Sequence, residues 1–274
     1  MTSLRPTRAP VIAILVILAA ALIAREFVRA QLINAGYAAP YAKDLSYLVV
    51  PAILAVLLWP ILCRHGSHFR YIFRSDALTL NILVSGILIG LLSRIAWWSC
   101  LVAGISFGLV GDANSGAAIG PTFRFDCPAP AVVILGIVVT AGLTPFVEET
   151  IHRGLLISGL LRHGKLFAIL VATLIFMFAH TTSAYAPAFL FGLILALQYV
   201  STGAVWFSLA THASYNALIQ LDWRCLNGQW NPAAEQLPLT GIGVAATATL
   251  LLSIGLIYRV LKAATTGTPR ASRS

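Results

Sequence analysis

Along this chain apolar residues run in long, nearly unbroken stretches, and polar residues collect in short segments between them. A helix that spans a bilayer needs ~20 mainly apolar residues. Eight stretches meet that need with varying ease, at about 10–30, 46–63, 77–96, 129–148, 166–184, 185–200, 203–220 and 240–260. The pattern predicts an all-α, polytopic integral membrane protein with about eight transmembrane helices.

The first stretch has only fourteen uninterrupted apolar residues, from Val11 to Ala24, behind Arg5 and Arg8. That is also the shape of a signal peptide, with Val28-Arg29-Ala30 as a poor cleavage site. Seven further spans favour an uncleaved anchor. In the third stretch apolar residues continue past Arg94 and the Trp97-Trp98 pair to Val110. Arg94 either snorkels at the outer interface, with 99–110 along the surface, or sits inside a longer helix.

Composition removes the soluble alternatives. The 274 residues are 59% hydrophobic and 10% charged, with a mean hydropathy of +0.88. Eighteen basic and nine acidic side chains are too few to cover the apolar surface of a soluble fold. A soluble enzyme, a disordered tail and a coiled coil are excluded.

The net charge of +9 reflects topology. With the N-terminus inside, the cytoplasmic segments hold Arg5, Arg8, Arg64, Arg70, Arg74, Arg162, Lys165, Arg259, Lys262, Arg270 and Arg273. The opposite loops hold Glu26, Asp44, Asp112, Asp126, Asp222 and Glu235. This asymmetry places both termini in the cytoplasm and makes nucleic acid an unneeded explanation for the basic residues. Arg25, Arg29 and Lys43, in the first outer loop, run against it. Two cysteines, Cys127 and Cys225, fall in outer loops, where a bridge or two free thiols are both compatible with the spacing.

Polar chemistry concentrates where the bilayer penalises it. The segment Pro145-Phe146-Val147-Glu148-Glu149-Thr150-Ile151-His152-Arg153-Gly154 interrupts an apolar stretch. Two Glu and one Arg taken singly would cost about 7–10 kcal/mol at the helix centre. Glu149 and Arg153 stand four apart, so they pair on one helical face. Glu148 is rotated about 100° away and becomes the candidate base. His152 is within reach of either glutamate, and a purely structural ion-pair cluster is the competing reading.

Two more spans carry polar groups at matching depth. Glu148 lies ~21 Å from the Arg162 end of its helix, His180 ~22 Å beyond Lys165 and His212 ~14 Å beyond Gly203, at 1.5 Å per residue. Asn216 follows His212 by one turn. Convergent polar groups from separate spans point to a water-filled site.

Glu148-Glu149-x-x-x-Arg153, then Phe176-x-x-x-His180, then His212-x-x-x-Asn216 resembles, in order, the motifs of the CPBP family of intramembrane proteases. This family includes the type II CAAX prenyl endopeptidases and bacterial bacteriocin-processing and immunity relatives. The resemblance covers about 129–221 and departs from the family at Thr150-Ile151-His152, where apolar or aromatic residues are usual. It divides the chain into N-terminal spans at 1–128, a protease-like core at 129–221, and an outer loop, last span and tail at 222–274.

The resemblance implies peptide-bond hydrolysis in the membrane. Glu148 would activate water, His180 would orient it or share the proton, and His212 with Asn216 would stabilise the oxyanion. Glu149–Arg153 would brace the site. It implies a membrane-anchored protein or peptide substrate, lipidated or not; a bacterial inner membrane is the expected location. No cofactor is favoured, although Glu148, His180 and His212 would make a zinc-type set of two histidines and one carboxylate. The HExxH signature is absent.

Other motif matches lack context. Gly159 to Leu166 has the glycine and lysine spacing of a phosphate loop, but Leu166 stands at the Mg²⁺-binding hydroxyl position and no strand precedes it. Gly104-Ile105-Ser106-Phe107-Gly108 lacks the strand-to-helix setting of a serine nucleophile. Gly86-x-x-x-Gly90 reads as a helix-packing face. The rival functions are an ion-coupled transporter, disfavoured by the missing inverted repeat, and a catalytically silent scaffold or immunity member of the same family.

Overall fold

The computed structural model describes residues 10–107, 120–125, 130–180, 182–231 and 239–266. Among the described residues ten helices carry the architecture: α1 (Val11–Asn34), α2 (Ala39–Tyr47), α3 (Val49–Arg64), α4 (Gly66–Ile72), α5 (Leu80–Ser106), α6 (Pro130–His163), α7 (Lys165–Phe178), α8 (Tyr185–Thr202), α9 (Trp206–Cys225) and α10 (Leu239–Thr266). Among the described residues, six helices are long and apolar enough to cross a membrane. They are α1, a joined α2–α3 stretch at Tyr41–Ile61, α5, α6, α8 and α10. The protein is a polytopic all-α membrane protein.

The other two expected spans are helical but differ in kind. The fifth is α7, fourteen residues long, or ~21 Å, short of a hydrocarbon core of ~30 Å. The seventh is α9, twenty residues whose hydroxyl, histidine and asparagine side chains dilute its apolarity. A strand pair accompanies the helices: β1 (Gly120–Phe125) runs antiparallel to β2 (Leu226–Asn231), from Gly120 opposite Asn231 to Phe125 opposite Leu226. It ties together two segments read from sequence as outer loops. Cys127 and the side chain of Cys225 lie outside the described residues; Cys63 and Cys100 are free and exposed.

Arg94 settles inside a longer helix, because α5 continues unbroken to Ser106. Residues 99–106 do not lie separately along a surface. The guanidinium stands 5.5 Å from the Trp98 ring centre and 5.7 Å from that of Tyr215, so aromatic faces meet its charge.

Helix α5 packs on α9 and α10. Gly86 and Gly90 let the α5 backbone approach α9: a Cβ at Gly86 would stand 2.7 Å from Ala210 Cβ, and one at Gly90 would run into Ser214 and the Thr211 carbonyl. The close approach is sealed by two donors from α9, Thr211 Oγ1 to Gly86 O at 3.0 Å and Ser214 Oγ to Ile87 O at 3.3 Å. With that face given to α5, His212 turns toward α6.

The segments expected on the cytoplasmic side meet one another. Arg74 donates to Thr202 O at 2.7 Å and Gly203 O at 2.9 Å, satisfying carbonyls left open where α8 ends. Trp206 Nε1 donates to Arg74 O. Helix α4 lies against α6, where Ile72 covers Gly154 and His68 Nε2 donates to Gly154 O at 2.8 Å. The main core is built from Ile14 and Leu18 of α1, Leu54 and Leu58 of α3, and Leu155 to Ile157 of α6, joined by Ala168, Ala172 and Tyr199.

Candidate active site

Helix α6 is not regular. It changes to π-helix over Ile137–Leu143 and Thr150–Ile157. The first π segment ends just before Pro145, whose ring lacks an N–H and crowds the preceding turn. Wider winding there relieves the clash without ending the helix. The second carries His152, Arg153 and Gly154 and is buried from Ile151 to Ile157. Between them, Thr144–Glu149 presents the two glutamates.

Glu149 is fully buried and takes two partners through one oxygen. Its Oε1 lies 3.1 Å from Arg153 Nη1 and 2.9 Å from His212 Nδ1. The pairing four residues apart is thus present as the spacing predicts. Arg153 also donates through Nη2 to Gly192 O at 3.1 Å and lies 4.7 Å from the centre of the Phe176 ring. Gly192 permits this: a Cβ there would meet Phe176 Cδ1 at 3.0 Å and Thr173 Cγ2 at 3.3 Å.

Glu148 points elsewhere. Its side chain is a quarter exposed, and Oε2 stands 3.8 Å from His212 Nε2. It lines a cavity of about 30 Å³ together with His152, Thr144, Tyr47 and Arg25. A water needs ~10–15 Å³ of such space, so the cavity admits one beside the carboxylate. His212 therefore bridges the two glutamates, Nδ1 on Glu149 and Nε2 toward Glu148. Its ring is held edge-on between Phe176 at 5.8 Å and Phe191 at 5.6 Å.

His180 and Asn216 join less directly. Helix α7 stops at Phe178, and His180 follows it with Nδ1 donating to Phe176 O at 2.8 Å. Its ring packs 4.7 Å from that of Phe176. Non-α-helical backbone at membrane depth is tolerated where it is buried in protein or faces a wet cavity, which suits a helix that ends early. Asn216 Nδ2 donates to Thr140 O at 2.8 Å, linking α9 to the first π segment. Glu148, Glu149, Arg153 and His212 form one contact network, His180 reaches it through Phe176, and Asn216 is anchored beside it.

Three residues at the site were given no role by the sequence. Phe176 touches Arg153, His152, His180 and His212 at once; its place in Phe-x-x-x-His was the available signal. Tyr47 and Arg25 bring the N-terminal helices to the Glu148 cavity, and Arg25 reads from sequence only as an outer-loop charge that runs against the asymmetry. Among the described residues no three His, Cys, Asp or Glu side chains converge as a metal-ligand set.

Residues 129–218, about a third of the chain, match the model of the type II CAAX prenyl endopeptidase Rce1-like family. Over this segment the chain is similar to the CAAX protease family. The match starts one residue before α6 and ends within α9, so it contains every motif residue described above. The family implies an intramembrane CAAX-type endopeptidase acting on a membrane-associated protein. No curated protein and no solved structure matches the chain.

Proposed function

We propose that this CAAX protease segment hydrolyses a peptide bond of a membrane-anchored substrate with Glu148 as general base. The observation that carries the reading is the division of labour between adjacent glutamates. Glu149 is occupied by Arg153 and His212, while Glu148 faces a water-sized cavity.

The steps follow from these positions. Glu148 takes a proton as the water oxygen adds to the carbonyl carbon, then returns it to the amine nitrogen as the C–N bond breaks. His212 donates Nδ1–H to Glu149, and in its doubly protonated form Nε2–H faces the reacting centre as an oxyanion donor. Asn216 uses one amide hydrogen on Thr140 O and has a second for the same oxyanion. Arg153 holds Glu149 in place, and His180 steadies Phe176 and the polar end of α7.

An apolar cavity of about 450 Å³ supports a substrate with an apolar or lipid appendage. Trp97, Leu190, Phe191, Tyr215 and Ile254 line it, and Phe191 also flanks His212. The charge asymmetry of the loops supports cytoplasmic termini, and a bacterial inner membrane is the location proposed.

The test is reconstitution of the full chain in liposomes with a library of membrane-anchored peptides, read by mass spectrometry of fragments. Defined fragments that survive a strong chelator support the reading. Flux of ions without any fragment would replace it with a carrier.

A further inference from the structure

We propose that His152 is a further catalytic residue, holding the attacking water jointly with Glu148. The inference rests on the reading of Glu148 as the base. His152 is 2% exposed, and its Nδ1 is buried without a hydrogen-bond partner on the described protein. Buried imidazole nitrogens ordinarily find a partner, so an orphaned one needs an explanation. The ring lines the same water-sized cavity as Glu148.

Phe176 fixes the ring's tilt, packing edge-on at 5.3 Å between centres with the planes 88° apart. The second π segment places His152 on the cavity side while Arg153 turns to Glu149 and Gly192. His180, the histidine expected from sequence to orient the water, spends Nδ1 on the Phe176 carbonyl and is not in the lining of this cavity. An ordered buried water makes about three hydrogen bonds. One water O–H donates to Glu148 and the other to a His152 nitrogen, which aims an oxygen lone pair at the substrate carbonyl. The proton transferred on attack goes to Glu148, and His152 stays neutral throughout.

The experiment is steady-state cleavage of a membrane-anchored peptide by the full chain as wild type, His152→Phe, His152→Gln, His152→Met and Glu148→Gln. Phenylalanine fills the ring's volume and keeps the edge contact to Phe176 but has no nitrogen. The expected result is a fall in kcat of about 10–100-fold for His152→Phe at unchanged KM, with His152→Gln retaining more activity than His152→Met. Loss below the ~10²–10⁴-fold of a proton-transferring group fits a water-holding role.

Wild-type kcat in His152→Phe, with Glu148→Gln inactive, would overturn the role of His152 and leave the base reading intact. Wild-type kcat in Glu148→Gln would overturn both. Should His152→Phe elute differently from wild type on sizing, the Gln and Met variants decide between them, and equal kcat in that pair overturns the proposal.

Discussion

His212 donates Nδ1–H to Glu149 Oε1 at 2.9 Å, and Arg153 Nη1 stands 3.1 Å from the same oxygen as an ion pair. One carboxylate thereby ties helix α9 to two turns of helix α6 in an apolar core. Its burial makes it an energetic linchpin, because removing one member strands the charge of the others.

Replacing Glu149 by Gln is therefore expected to lower the thermal midpoint in detergent, with a loss of about 3–5 kcal/mol. The double variant Glu149→Leu, Arg153→Met removes both charges and should recover much of that loss. A midpoint for Glu149→Gln equal to wild type would refute the bracing role.

Gly90 tests the packing that aims His212. Its Cβ would press on the Thr211 carbonyl as well as on the Ser214 side chain. Gly90→Ala should cost about 1–3 kcal/mol as overpacking. Adding Ser214→Ala should relieve only part of the cost, since the backbone obstruction stays. Full rescue in that double variant would show that the helices part more easily than this.

His68 supplies a pH dependence. Burial lowers its pKa from the ordinary histidine value, partly offset by the hydrogen bond it donates to Gly154 O. The neutral ring is the form the fold prefers. Its contribution is present above the unfolded value of ~6.5 and is lost as pH falls through the lower folded value. Thermal midpoints between pH 7.5 and 5 should thus fall less steeply for His68→Gln than for wild type. Identical slopes would remove His68 from the account.

Much of this was legible in the sequence, for physical reasons that differ by residue. Glu149 and Arg153 are four apart on a helix, so their pairing follows from geometry. Gly86 and Gly90 mark a close approach, though nothing in the chain says that α9 is the partner. The twist of α6 into π-helix around Pro145 has no simple periodic signal, and it decides that His152 joins Glu148 at the cavity. The early stop of α7 at Phe178 was also hidden, because apolar residues resume after Thr182 and Ser183. Arg25 and Tyr47 reach the site only through tertiary packing of helices that carry no motif.

The central claim is that Glu148, and not its neighbour, activates water. The most direct measurement is single-turnover cleavage of one membrane-anchored peptide by wild type and Glu148→Gln, after both elute identically on sizing. The account expects the rate constant to fall by at least ~10²–10⁴-fold in Glu148→Gln, with wild-type cleavage unchanged by chelator. Cleavage by Glu148→Gln at the wild-type rate would contradict it.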